Sequence, residues 1–184
     1  MARRRLDGET LRDTLLAISG QTTQRAGGPG VRPPLPREIT STLLNNQWPV
    51  SKSIEDHHRR SVYLFARRNL RYPLFELFNR PDGTASCSRR KESTTAPQSL
   101  ILLNSDFSVD RAVALAKRLA KRLAKRDGST AVRDLYGRLF QRQPSERELR
   151  LAKRFIADQE PDGIEPLAKL ALALFNLNEF LFVD

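Results

Sequence analysis

The side chains best suited to chemistry in this chain are guanidinium groups. Arg59, Arg60, Arg67 and Arg68 fall within ten positions, and Arg89 and Arg90 follow downstream, with Arg71, Arg80 and Lys91 between or beside them. A guanidinium is a planar fork of donors that meets a carboxylate, sulfate or phosphate through two parallel hydrogen bonds. Tyr63, Phe65 and Tyr72 add ring faces for a sugar or a cation. Glu55, Asp56, Glu76, Asp82 and Glu92 are five local acids against six arginines, before Arg71, Arg80 and Lys91 are counted. Two roles are open. The two segments can meet, form at least one bidentate pair and leave a positive concavity near Cys87 for an anionic ligand or a partner domain. Alternatively the arginines pair with nearby acids and clamp loops that have few apolar residues.

Other groups offer weaker chemistry. Cys87 lies two residues before Arg89, and cationic neighbours lower a thiol pKa. A thiolate nucleophile also wants a histidine base, and His57 and His58 are the two histidines. A lone cysteine packs equally well as a small hydrophobe. Adjacent histidines rarely converge on one ion, and no third ligand has a matching spacing. Ser93-Thr94-Thr95 before Pro97 can cap a helix or present its first N–H groups to an anion. Gly27-Gly28-Pro29-Gly30 lacks the Gly-Lys-Ser/Thr of a phosphate loop, and reads as a loop hugging the surface.

Leu-Ala-Lys-Arg runs three times without a break over residues 115–126 and returns at Leu151–Arg154. On a helix a period of four winds slowly, so Leu115, Leu119 and Leu123 form an apolar seam beside Lys117, Arg118, Lys121, Arg122, Lys125 and Arg126. The cations resemble a nucleic-acid or membrane-surface helix. No aromatic interleaves them for base stacking, and the apolar side has only Leu and Ala. An exposed basic face over buried leucines is the expectation, and nucleic acid is disfavoured as a partner.

Composition narrows the classes. The chain has 184 residues, 39% hydrophobic and 29% charged, with a net charge of +11. Residues 1–154 carry 31 basic and 15 acidic groups, and residues 155–184 carry one and six. One cysteine excludes an internal disulfide, a Cys-rich zinc site and covalent c-type haem. No cofactor is expected. The longest apolar run, Leu170–Phe175, is far below the ~20 residues that cross a bilayer. Arg3-Arg4-Arg5 is followed by Arg12-Asp13-Thr14 rather than an apolar core, so no signal peptide is read.

These groups must be positioned by a mainly α fold: a helical bundle with a loop-rich N-terminal half and room for one short strand pair. The chain is expected to be a single domain, 1–184, with a loop-rich half at 1–93 and a helical half at 94–184. Asp7 caps a helix with Leu11, Leu15 and Ile18 on one face, ended by Gly20. Residues 36–44 suggest a short helix with Ile39, Leu43 and Leu44 inward. Residues 59–68 fit a strand buried on both faces slightly better than a helix. Later helices begin after Pro73, at Thr95, at Ser108 or Asp106, near 129 and at Ser145, where Glu148 completes a capping box. The segment 164–177 is apolar on nearly every side, so it belongs at the centre of the bundle.

Five blocks carry a resemblance: Arg5-Leu6-Asp7-Gly8-Glu9-Thr10-Leu11-Arg12-Asp13, Val31-Arg32-Pro33-Pro34-Leu35-Pro36, Arg59 to Asn69, Ser86-Cys87-Ser88-Arg89-Arg90 with Ser93 to Gln98, and Leu174 to Asp184. In this order the chain resembles the C-terminal part of large planctomycete proteins carrying domain of unknown function 1553. The resemblance implies an exported parent protein, often with a cytochrome c-type haem segment, and implies that this chain is a C-terminal fragment. It brings no catalytic residues. The expected function is a non-catalytic module that binds an anionic or sulfated polysaccharide, or docks the parent's N-terminal domains, through Arg59, Arg60, Arg67, Arg68, Arg89 and Arg90. A hydrolase half-site completed by a missing N-terminal region, and nucleic-acid binding, are the alternatives.

Overall fold

The computed structural model describes residues 3–44, 47–123, 128–159 and 163–183. Two compact units emerge: Met1–Arg5, Ile18–Gly20 and Ser99–Asp184 form one, and Leu6–Ala17 and Gln21–Gln98 form the other. The fold is mainly α, with one two-stranded antiparallel sheet among the described residues.

In the first unit, α6 (Asp106–Leu123), α7 (Gly128–Phe140), α8 (Glu146–Ala157) and α9 (Pro166–Phe175) make a closed bundle. Helix α6 packs on α7 and α9, and α8 packs on the same two. Seven of the ten α9 residues are buried, among them Leu167, Leu170, Leu174 and Phe175, as its all-round apolar sequence requires. Ala168 and Ala171 on α9, and Ala112 and Ala116 on α6, are fully buried, and small side chains of this kind let helix axes approach closely. The capping box at α8 forms: the Ser145 hydroxyl accepts from the Glu148 amide, and the Glu148 carboxylate accepts from the Ser145 amide at 2.7 Å. The chain ends in α10 (Asn178–Leu181) and β2 (Phe182–Val183), which pairs with β1 (Arg4–Arg5), Arg5 opposite Phe182. The one strand pair thus joins the two ends of the chain rather than lying at 59–68.

The second unit holds most of α1 (Gly8–Ser19), and α2 (Arg37–Thr40), α3 (Ile54–His57) and α4 (Pro73–Leu77), with the first residues of α5 (Ala96–Asn104). Asp7 caps α1 by accepting from the Thr10 amide at 2.7 Å. Leu11, Leu15 and Leu16 are completely buried, and with Val31, Trp48, Leu64, Leu74 and Phe75 they supply this unit's core. Gly8 sits where a Cβ would come within 3.1 Å of the Leu74 carbonyl oxygen and the Phe75 Cα.

Two local expectations need correction. Residues 59–68 are not a strand buried on both faces: Ser61–Tyr63 form a single 3-10 turn, Leu64 makes one isolated bridge to Val31, and Val62 is 75% exposed. Side chains of α1 have taken the polar groups a neighbouring strand would need. The Ser61 amide donates to the Asp13 carboxylate at 2.7 Å, and the Arg59 carbonyl accepts from Arg12. Helix α2 stops at Thr40 and leaves Leu44 75% exposed rather than inward. The hydroxyls of Thr40, Ser41 and Thr42 donate back to carbonyls three residues earlier, a local alternative to continuing the helix.

Candidate functional site

The six arginines of the central segments have different fates. Arg59 is fully buried, donates to the carbonyls of Gly27 and Pro29, and stacks 4.1 Å from the Tyr63 ring centroid. It is a strut for the glycine-proline loop. Arg60 is exposed, 3.7 Å from the Asp13 carboxylate. Arg67 donates to the Gln47 carbonyl. Arg68 and Arg89 are exposed, and neither side chain has a partner among the described residues. Arg90 makes the bidentate pair, with Glu9 at 2.9 and 3.1 Å, and reaches Asp7 at 3.3 Å. The hydrogen bond to Glu9 raises the Arg90 pKa.

The partner of Arg90 is therefore the acidic first turn of α1, not a nearby carboxylate. Asp7 and Glu9 carry an obvious helix-start signal. Nothing in their spacing connects them to a residue eighty positions away.

Cys87 is exposed and its thiol donates to the Arg89 carbonyl, two residues on. His57 Nε2 lies 2.7 Å from the Ser51 carbonyl, which can only accept, so this nitrogen carries the proton and ties down its own loop. The Thr95 amide, a candidate anion donor, is taken by the Gln98 side chain at 3.0 Å, while Gln98 Nε2 donates to Leu77 and Ser93 carbonyls. That contact is a cap. Among the described residues no group of three or more His, Cys, Asp or Glu is placed to hold a metal ion, and no helix is long and apolar enough to cross a membrane.

A concavity of about 230 Å³ does lie beside two of the six arginines. Arg67 and Arg68 line it, joined by Arg71 and Arg80, while Arg59, Arg60, Cys87, Arg89 and Arg90 do not. Its elements are the turn after Leu64, the approach to α4, α4 itself and the start of the loop that follows α4. Pro73 starts α4 and fixes the direction of Tyr72 and Phe75, whose rings lie 5.0 Å apart in the wall. Phe65 and Leu64 complete an apolar side.

Four cations face two acids in this pocket. Arg71 lies 3.9 Å from Glu76 and 3.7 Å from Asp82. Arg80 lies 3.3 Å from Glu9 and 5.1 Å from the Phe75 ring centroid. Hydrogen bonds from the Thr84 hydroxyl and amide, aided by Arg71, hold the Asp82 carboxyl below its ordinary pKa, so it is charged. Such a site, part cationic fork and part aromatic wall, can hold an oxyanion on a ring-shaped carrier. Its volume, below the ~300–1,000 Å³ of drug-sized pockets, suits a single ring.

The sequence model of one family, PSD1, described as a protein of unknown function (DUF1553), matches residues 1–156. No curated protein and no solved structure matches the chain.

Proposed function

The chain belongs to the DUF1553 (PSD1) family, and we propose that within this family it acts as a non-catalytic binding module for an anionic polysaccharide, held in the arginine-lined pocket before and after α4. The observation that carries this reading is the imbalance of the pocket. Arg67, Arg68, Arg71 and Arg80 surround an apolar wall, and Glu76 and Asp82 are the two acids that line it. Arg68 has no partner among the described residues, and both carboxylates stand beyond the 2.7–3.2 Å of a good N–H···O hydrogen bond from Arg71. The forks keep donor capacity for an outside anion. The half-buried ring of Tyr72, with the buried Phe75 packed against it, offers a face for the sugar that carries it.

Calorimetric titration with sulfated and neutral oligosaccharides of equal length tests the proposal. The sulfated series binds, binding weakens with salt, and Arg68→Gln or Arg71→Gln each lowers affinity about tenfold, as loss of one charge-assisted contact implies. Equal binding of the neutral series, or indifference to both substitutions, overturns it.

A further inference from the structure

Two acids stand at Arg71, one of the four arginines that line the pocket. Arg71 Nη1 is 3.9 Å from Glu76 Oε1, and Nη2 is 3.7 Å from Asp82 Oδ2. Both separations neutralise charge without saturating the donors. Asp82 is also held on its other side. Its Oδ1 accepts from the Thr84 amide at 3.0 Å, across a Gly83 in the left-handed region at φ +72°. The carboxylate is thus presented to Arg71 by a turn, at the edge of the pocket where Arg80, Pro81 and Gly83 form the wall.

We infer that Asp82, with Glu76, is a built-in competitor at Arg71 that admits sulfate-ester ligands and turns away ligands whose only anion is a uronate carboxylate. The inference rests on the binding role proposed for this pocket. A uronate offers one carboxylate, the same group that Asp82 already supplies without loss of translational freedom, so exchanging one for the other gains little. A sulfate ester has three acceptor oxygens. It has an oxygen to spare for a second lining arginine such as Arg68, which has no partner among the described residues, Glu76 and Asp82 included. The internal acids therefore set a threshold, and the number of forks engaged decides which ligand clears it.

Asp82→Asn is a clean probe, because the amide oxygen keeps the bond from Thr84 while the charge is lost. Glu76→Gln, on α4, tests the same idea independently of the turn. The full chain and both variants are titrated with a sulfated oligosaccharide and with an unsulfated oligouronate, and their folding is checked by circular dichroism. The expected result is sulfate-selective binding by the unmodified chain. Asp82→Asn then binds the sulfated ligand about two- to fivefold more tightly, in line with a part-exposed charge contact, and gains measurable uronate binding. Glu76→Gln moves in the same direction, and it decides the matter if Asp82→Asn misfolds. If the folded variants bind no better than the unmodified chain while its binding still depends on Arg68, the competitor is refuted and the binding role stands. If no protein binds either ligand, both fall.

Discussion

The guanidinium of Arg12 donates to the backbone carbonyl of Arg59 at 2.8 Å, and both arginines are completely buried. Arg12 also donates to the His57 carbonyl at 2.5 Å and to the Ser61 hydroxyl at 3.3 Å. One side chain of α1 thereby fixes three points along residues 57–61, and Arg59 extends the support to the glycine-proline loop. Replacing Arg12 with Met strands the buried Arg59 carbonyl and the part-buried His57 carbonyl. A loss of about 2–4 kcal/mol in urea unfolding is expected. Arg12→Lys should recover only a part, since an ammonium cannot span the same acceptors. A change below about 0.5 kcal/mol, the range of ordinary surface sites, would remove this contact from the stability of the unit.

Gly8 gives a test of opposite sign to helix propensity. Alanine at an exposed helix position gains up to about 1 kcal/mol over glycine. Here the new methyl would press on the Leu74 oxygen and the Phe75 Cα at 3.1 Å, and backbone atoms have little freedom to yield. Gly8→Ala is expected to destabilise by about 1–3 kcal/mol. Thermal melting of the variant measures it, and an unchanged or raised midpoint contradicts the close approach.

Glu148 makes the stability of the bundle depend on acid. Hydrogen bonds from Arg142 first, and from the Ser145 amide and hydroxyl, push its pKa from 4.5 down to about 2. Arg142 bridges Glu148 at 2.6 Å and Glu179 at 2.5 Å, and its own pKa is raised by the same bonds. A carboxylate with a depressed folded pKa contributes stability that is fully present above its unfolded value and is lost as pH falls through the folded one. The Glu148 contribution should therefore disappear between pH 4.5 and about 2. Because the pair is part-exposed, its size is about 1 kcal/mol. Glu148→Gln should flatten that portion of the pH–stability curve, and a parallel curve would argue against the assignment.

Helix α6 should respond very differently on its two faces. Lys117 and Lys121 are exposed, while Leu115 and Leu119 are completely buried. Lys117→Gln with Lys121→Gln is expected to shift stability by no more than about 0.5 kcal/mol. Leu119→Ala should cost about 2–5 kcal/mol. Large loss from the lysine pair, measured in the same denaturation experiment, would mean that the basic face has a role. Arg122, Leu123, Lys125 and Arg126 lie outside the described side chains.

What the sequence determined alone was set by interactions a few residues long. The Asp7 cap, the Ser145–Glu148 box and the Pro73 helix start each involve groups within a single turn. The central place of α9 is legible too, because a helix apolar on every side has no stable position at a surface. The bidentate partner of Arg90, the burial of Arg59 and the pocket around Arg71 were decided by tertiary structure. In each, the energy lies between residues distant in the chain, where residue type sets the chemistry and the fold sets the distance. The Leu-Ala-Lys-Arg repeat shows the division within one motif. On α6 its leucines at 115 and 119 are buried, whereas on α8 Leu151 is 58% exposed and Ala152 is buried. The same four letters present different faces, because a helix rotates to bury its largest apolar stripe against its neighbours, and on α8 that stripe runs through Leu149 and Ala152.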